Sequence, residues 1–197
     1  MEQQQATPHY SVEEYLLLEV QSEIRHEYYQ GEIFAMAGAP LQHNRIIRNG
    51  SVAIQQRLRS EECELFLDGA LVKVSDAYYF YPDLIVSCDA EDLVADRILQ
   101  HPTVLVKVLS PGSADYDRTT KLRLYRQLPS LQHYVLIRQD YCWVECLTRT
   151  SDDEWTLRIY DELSAFLLLP ALNISVPLAE LYARVKLAEP PQVPEKE

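Results

Sequence analysis

Two short apolar runs, each associated with one charged residue, constrain the fold of this chain more than any other feature. The first comprises residues 84–86 and follows Asp83 directly, and the second comprises residues 103–109 and contains Lys107. Such runs of aliphatic and β-branched residues are typical of strands that are buried on both faces of a sheet. A charge at such a place is costly unless an opposite charge pairs with it. We therefore predict that the two strands are neighbours and that Asp83 and Lys107 meet.

A third charge is predicted to approach the same sheet from a helix. Residues 115–128 have helical periodicity, and Lys121 lies on the same side of that helix as Tyr125 and Leu128. Because this apolar side must face the protein interior, Lys121 points toward the sheet rather than into water. Together with the alternation of side chains along each strand, this predicts that the three charges converge in one place.

Length and composition predict one globular domain. The chain has 197 residues, of which 47% are hydrophobic and 24% charged, enough for a single sizeable core. We predict that the domain spans residues 10–185, between a disordered arm of residues 1–9 and a disordered, acidic, proline-rich tail of residues 186–197. No apolar stretch is long enough to cross a bilayer and no signal peptide is evident, so a cytoplasmic protein without a membrane partner is expected.

The four cysteines show no pattern that favours a metal site. Cys63, Cys88, Cys142 and Cys146 lack the C-x-x-C spacing of zinc sites, and the last two are predicted to lie in one strand. Structural zinc sites bring their cysteines together in closely spaced pairs. The cysteines are therefore predicted to be reduced thiols of the core.

The net charge of −12 argues against broad, non-specific binding to a phosphate backbone, which depends on clustered lysine and arginine. Any contact with DNA is expected to be local. Besides Lys121, the cations available for it lie on two predicted helices: Arg45, Arg48, Arg57, Arg59, Arg118, Arg123 and Arg126. The alternative is that these arginines only keep two amphipathic helices soluble.

The order of predicted elements indicates a mixed α/β protein. A capping box at residues 11–14 opens a short N-terminal helix, and residues 26–37 alternate around a Gln-Gly turn as in a β-hairpin. Residues 41–59 are predicted to be helical, with Ile47, Ile54 and Leu58 facing inward and Gly50 either a weak point or a close-packing site. Further strands are predicted at residues 64–67, 71–75, 81–86, 104–109, 134–137, 143–148 and 155–160, with the helix at 115–128 and a last helix entered at 175–177.

Five segments of the chain resemble the Uma2-like (DUF820) branch of the PD-(D/E)xK nuclease superfamily, restriction endonuclease domains that are abundant in cyanobacteria. The segments are residues 26–33, 43–47, 81–83, 106–111 and 117–125, and they span most of the chain in the order found in the family. The resemblance implies the α/β (α+β) restriction-endonuclease-like fold, with an αβββαβ core around a mixed sheet and an additional N-terminal helix and hairpin.

The resemblance also implies an activity, namely metal-dependent DNA endonuclease cleavage by phosphodiester hydrolysis, in a protein that assembles as a homodimer. Asp83 corresponds to the primary ligand of Mg²⁺ (or Mn²⁺), and Glu27 is similar to an upstream acid that completes the metal shell. Lys121 corresponds to the catalytic lysine that orients or activates water. His43 matches a histidine that would orient a phosphate or a ligand.

Lys107 is the departure from this pattern, because the family has a glutamate at that position. An ammonium removes one oxygen ligand and places a positive charge where the cation would bind. Two interpretations remain open. Lys107 either forms an internal ion pair with Asp83 that replaces the metal in an inactive site, or takes over the catalytic role of a strand-borne lysine in a weakened nuclease.

Each candidate residue also has a structural interpretation. Asp83 could simply begin a strand and accept backbone hydrogen bonds, and Lys121 could pair with Asp117 one helical turn away. Glu27 and His43 could be ordinary surface residues. At the level of function, the alternatives are a catalytically dead module that binds nucleic acid or protein, and an interaction domain that binds no nucleic acid.

Overall fold

The computed structural model describes residues 8–59, 61–67 and 69–190. Residues 1–7 and 191–197, which include most of the predicted arm and part of the predicted tail, lie outside the described residues. None of the helices in the described part of the chain is long and apolar enough to cross a membrane.

The described residues form thirteen strands and several short helices. The strands are β1 (His26–Tyr29), β2 (Glu32–Ala35), β3 (Glu64–Leu67), β4 (Leu71–Ser75), β5 (Tyr78–Phe80), β6 (Leu84–Ser87), β7 (Ile98–Leu99), β8 (Pro102–Val108), β9 (His133–Ile137), β10 (Val144–Arg149), β11 (Trp155–Tyr160), β12 (Phe166–Leu169) and β13 (Ile174–Pro177). The α-helices are α1 (Val12–Gln21), α2 (Leu41–Gln55), α3 (Ala90–Leu93), α4 (Ala114–Tyr116), α5 (Leu122–Tyr125) and α6 (Leu178–Leu181). A π-helical turn, Asp117–Lys121, joins α4 to α5, and a 3₁₀ turn, Pro170–Leu172, joins β12 to β13.

A six-stranded mixed sheet forms the centre of the molecule, in the order β11-β10-β9-β8-β6-β3. Its strands pair antiparallel except β8 and β9, which are parallel and are connected by the helical segment 114–125. Read along the chain, α2, β3, β6, β8, this helical segment and β9 form the predicted αβββαβ core. The predicted fold class is therefore confirmed.

The two faces of this sheet carry different layers. On one face, Ile46 of α2 joins Val86, Val106 and Val108 in a core that is closed by β12, β13 and α6. On the other, residues of α5 join the alternate strand positions Ile85, Leu105 and Leu109 in a second core. This division confirms the alternation predicted for the two apolar runs. The charged residues of the runs lie on the face of the second core.

A second sheet, β2-β1-β5-β4-β7, packs under α1 and holds the predicted N-terminal hairpin. The capping box of α1 is present, because the Ser11 hydroxyl accepts from Glu14 N and the Glu14 carboxylate accepts from Ser11 N. Gln30 and Gly31 have φ angles of 49° and 90°, as a two-residue hairpin turn requires. The predicted helix and hairpin therefore form together, joined by a tyrosine-rich core.

Several boundaries differ from the predictions. The strand expected at residues 81–86 begins only at Leu84, because residues 81–83 cross from β5 in the second sheet to β6 in the first. Residues 175–177 belong to β13, so the last helix begins at Leu178. In α2, Ile46 is fully buried and Ile47 only partly. Gly50 is a close-packing site, since a Cβ there would lie 3.0 Å from a methyl group of Leu84.

The prediction of four reduced cysteines is wrong for one pair, since Cys63 and Cys88 form a disulfide. The antiparallel register of β3 and β6 places Glu64 opposite Ser87, so the two cysteines occupy the next opposed positions. This register depends on strand order, which periodicity does not give. Cys142 and Cys146 are free thiols, and Cys142 precedes β10 rather than lying within it.

Candidate active site

Asp83 and Lys107 meet across two neighbouring strands. In the antiparallel register of β6 and β8, Leu84 pairs with Val106, which brings the residue before Leu84 to Lys107. Lys107 Nζ lies 3.1 Å from Asp83 Oδ1 and donates a hydrogen bond of 3.3 Å to the carbonyl oxygen of Tyr81. Both side chains are buried. The predicted contact between these two charged side chains is therefore confirmed.

Asp83 has two further contacts, one at each carboxylate oxygen. Asp83 Oδ2 accepts a hydrogen bond of 2.6 Å from the backbone N–H of Val108. His43, a buried residue of α2, places Nε2 3.4 Å from Asp83 Oδ1. An ammonium, an imidazole and a backbone N–H thus surround one buried carboxylate.

The electrostatic environment keeps this pair ionised. Burial by itself raises the pKa of Asp83, but His43, the Lys107 ammonium and the Val108 N–H together hold that pKa below its ordinary value. Burial by itself lowers the pKa of Lys107, but the carboxylates of Asp83, Glu27 and Asp117 hold it above its ordinary value. Each partner therefore favours the charged form of the other, and a buried salt bridge results.

Lys121 forms a second buried ion-pair cluster. Its Nζ lies 2.7 Å from Oε1 of Glu27, which comes from β1, and 3.1 Å from Oδ1 of Asp117. The rings of Phe80 and Tyr116 lie 5.3 and 5.6 Å from the ammonium, within range of a cation–π interaction. Lys121 is 3% exposed. It points into the protein, as its helix face predicted, and it also makes the predicted pair with Asp117.

Asp117 is the site residue whose importance the sequence did not indicate. It is fully buried, and its Oδ2 accepts a hydrogen bond of 2.9 Å from Ser113 Oγ. It begins the π-helical turn that ends at Lys121, and such turns are frequent at functional sites. Spacing along the chain gave only the pair with Lys121, because the burial of Asp117 depends on Tyr134 and the sheet beneath it.

The backbone of Tyr81 links the two ion pairs into one cluster. Its carbonyl oxygen accepts from Lys107, while its N–H donates to Glu27 Oε1 over 3.2 Å. The structure thus brings together all five residues proposed from the sequence, Glu27, Asp83, Lys107, Lys121 and His43, and adds Asp117. This proximity does not assign their roles.

The cluster does not fit a divalent cation in its present form. A magnesium ion needs oxygen ligands at about 2.1 Å in octahedral geometry, but the Lys107 ammonium already occupies the approach to Asp83 Oδ1. In the described part of the chain, the only three potential ligands that lie within 4.8 Å of one another belong to Asp89, Glu91 and His101. These residues lie near the opposite end of β6, so they cannot complete a site at Asp83.

The arginines considered for DNA contacts are partly engaged within the protein. Arg57 makes a bidentate ion pair with Glu180, and Arg118 makes one with Glu145. Arg126 donates to a backbone carbonyl. Because the charges of Arg57 and Arg118 are already compensated, neither helix offers a uniformly positive surface.

The fold and the buried carboxylate–lysine cluster define a nuclease-like α/β protein. A similar fold occurs in the crystal structure of a protein from Anabaena variabilis described as "a putative nuclease belonging to DUF820", with a TM-score of 0.68, 20% sequence identity and coverage of 88% of this chain and 97% of that chain. Residues 12–179 match the Uma2 family, described as "Putative restriction endonuclease". The chain belongs to this family.

Two proteins from Synechocystis sp. are similar to this chain over most of its length. One, named "Uncharacterized protein slr1290", is 31% identical over 176 residues, which cover 89% of this chain and 92% of the relative. The other, "Uncharacterized protein sll1609", is 32% identical over 148 residues, which cover 73% of this chain and 83% of the relative. The similarity therefore extends over nearly the whole domain.

Proposed function

We propose that this chain is a restriction-endonuclease-like protein that acts on DNA, and that its phosphodiester hydrolysis is strongly reduced by Lys107. One observation carries the proposal: the Lys107 ammonium lies 3.1 Å from Asp83, where a metal-dependent nuclease needs a further oxygen ligand and a cation. The action on DNA is supported by membership of a family described as "Putative restriction endonuclease".

In this proposal, Asp83 and Glu27 are the remaining carboxylates of an ancestral cation site for Mg²⁺ or Mn²⁺. Lys121 is the lysine that would orient water, and His43 supports the Asp83 carboxylate. Phosphodiester cleavage at such a site needs a Lewis acid on the phosphate, and Lys107 both replaces a ligand and repels a second cation. The cluster of this chain therefore retains its form while cleavage falls steeply.

A catalytically dead module that binds a protein partner is the second candidate. It is favoured by the net charge of −12 and by the internal ion pairs of Arg57 and Arg118, which leave less positive charge for a phosphate backbone. The two candidates differ in one measurable property. Binding of a DNA duplex in the presence of a chelator, reduced by added salt, supports the first and contradicts the second.

The test restores the carboxylate that Lys107 replaces. We expect Lys107→Glu to bind Mg²⁺ and Mn²⁺ more tightly in calorimetry, because it adds a second carboxylate for the cation beside Asp83 and removes the ammonium. Nicking of supercoiled plasmid should then appear or increase. Adding Lys121→Ala should suppress nicking but leave metal binding in place, since the proposed role of Lys121 is in the chemistry.

The matched control is Lys186→Glu, which makes the same change of charge at an exposed position. It should change neither metal affinity nor nicking. If folded Lys107→Glu binds both ions no better than the parent, the assignment of the cation site is wrong and the binding-module interpretation replaces it.

A further inference from the structure

Strand β11 leaves one edge of the central sheet open. It is the last strand of the six-stranded sheet and pairs only with β10 among the described residues. With six residues it is the longest edge strand in the described part of the chain, since β2, β3, β12 and β13 have four each and β7 has two. An edge strand presents unpaired backbone N–H and C=O groups, which form a template for another strand.

Apart from the exposed Arg158, the side chains of β11 do little to protect this edge. Residues 156–159 are all exposed, and the apolar Leu157 and Ile159 are 55% and 44% exposed. The strand contains no proline or lysine, and its pairing with β10 has no bulge. These are the usual devices that keep an edge from pairing. At the other edge of the same sheet, β3 is short and adjoins the disulfide of Cys63.

The strand is complementary to itself in one antiparallel register. If Leu157 lies opposite Leu157 of a second copy, Trp155 of each copy lies opposite Ile159 of the other. One face of the paired strands then becomes a continuous row of apolar side chains, an apolar ladder. On the other face, Thr156 lies opposite Arg158, and Arg158 is diagonal both to Glu154 and to Arg158 of the second copy, so the charges there roughly balance. Apolar cross-strand pairs stabilise a sheet, and the apolar ladder is therefore what favours this register.

The neighbouring registers that preserve the faces are worse. A shift of two residues in one direction places Arg158 opposite Arg158, and like charges that are directly opposed are destabilising. The same shift in the other direction places Ile159 opposite Asp153, which removes the apolar residue from the ladder. Register and partner are therefore specified by the same six residues.

We propose that the free edge of β11 is a homodimer interface, at which two copies pair antiparallel about a two-fold axis through Leu157. The central sheet continues from one copy into the other. The ion-paired cluster of Asp83 and Lys107 takes no part in the interface, so this proposal is independent of the proposed function. Because a single strand pair buries less than a standard interface of about 1,600 Å², association is expected in the micromolar range.

Sedimentation velocity over a concentration series tests the interface. We expect the parent chain to dimerise reversibly and Leu157→Lys to raise the dissociation constant about tenfold or more, which corresponds to about 1.4 kcal/mol. The matched control is Leu17→Lys on α1, because Leu17 is 56% exposed and Leu157 55%. A parent that stays monomeric throughout, or equal effects of the two substitutions, would overturn the proposal.

Cross-linking tests the register. With Cys142 replaced by serine, Leu157→Cys is expected to form an intermolecular disulfide rapidly under mild oxidation, because residue 157 faces its own copy. Ile159→Cys, which faces Trp155 of the second copy, should react much more slowly. Equal rates, or faster reaction of Ile159→Cys, would show that the two copies do not pair in this register.

Discussion

The two ends of β6 each hold a buried carboxylate, and they stabilise it in different ways. At the N-terminal end, Asp83 is surrounded by the Lys107 ammonium, His43 and one backbone N–H. Beyond the C-terminal end, Asp92 accepts from the backbone N–H groups of Gln100 and His101 and from the Ser87 hydroxyl. The first carboxylate is balanced mainly by charge and the second mainly by neutral donors.

This difference is the one expected if Asp83 belongs to the proposed catalytic cluster and Asp92 only stabilises a loop. Neutral donors satisfy Asp92 and fix the loop around it without placing another charge in the interior. Asp83 is held instead by an ammonium, which is itself expensive to bury. A fold that needed only an acceptor at position 83 could use backbone donors, as it does at Asp92. Retention of both charges is what the proposed descent from a catalytic cluster predicts.

The largest expected effect is the loss of the Asp83 carboxylate. Asp83→Ala leaves the Lys107 ammonium buried without its closest partner, and we expect it to lower the free energy of unfolding by about 3 to 5 kcal/mol. The double variant Asp83→Ala with Lys107→Met should recover much of this loss, because it removes the stranded charge. Denaturant melts at neutral pH provide the measurement.

Asp76→Ala is the surface control for this cycle. Asp76 pairs with Lys73 at 2.7 Å, but its side chain is 91% exposed. Exposed pairs contribute little to stability, so the control should melt like the parent. Additive effects of Asp83→Ala and Lys107→Met would show that the buried pair does not couple.

His133 extends the comparison to a buried base held by neutral groups. Its Nδ1 lies 3.0 Å from Thr148 Oγ1 and its Nε2 accepts from Ala171 N over 3.2 Å. Burial lowers its pKa from 6.5 to about 4, so the unfolded chain binds a proton in this range that the folded protein does not. Stability should fall by about 2 to 3 kcal/mol as the pH decreases from 6.5 to 4.

Melts of the parent and of His133→Gln across that pH range measure this contribution. Glutamine does not titrate, so the difference in unfolding free energy between the parent and the variant should change with pH in favour of the variant under acid conditions. A difference that stays constant from pH 7 to 4 would contradict the assigned protonation state of His133.

At Asp92, a smaller loss and no charge rescue are expected. Asp92→Asn replaces one acceptor oxygen by an amide that cannot accept, which leaves a buried N–H without its partner and costs about 1 to 3 kcal/mol. A cycle with His101→Gln, whose ring nitrogen lies 3.8 Å from Asp92 Oδ1, should be close to additive. A strong coupling there would mean that Asp92 is balanced by charge after all.

From the sequence we could predict the features that depend on the free-energy cost of burying an unpaired charge. Burial of the two apolar runs, together with the penalty for a lone charge, was enough to predict that Asp83 meets Lys107. The helix face of Lys121 and the hairpin of β1 and β2 were predicted from periodicity in the same way. The family resemblance, carried by short motifs, supplied the fold class and the candidate roles.

What the sequence did not predict depends on strand order and register. The disulfide between Cys63 and Cys88 exists because β3 and β6 are neighbours, and the split at residues 81–83 exists because β5 and β6 belong to different sheets. The burial of Asp117 follows from the π-helical turn over β9. Such long-range pairings have no local signal in a single sequence.

The smallest expected effect is that of a divalent cation on the parent protein. Ligands that bind the folded state raise its melting temperature, but Lys107 leaves no site for a cation at Asp83. Saturating Mg²⁺, or its removal by a chelator, should therefore leave the melting temperature of the parent unchanged at constant ionic strength. Lys107→Glu should gain about 2.7 kcal/mol once the ion reaches a hundred times its dissociation constant. A comparable gain in the parent that disappears in Asp83→Ala would mean that Lys107 moves aside for the ion, whereas a gain that survives in Asp83→Ala would place the ion elsewhere, as at Asp89, Glu91 and His101.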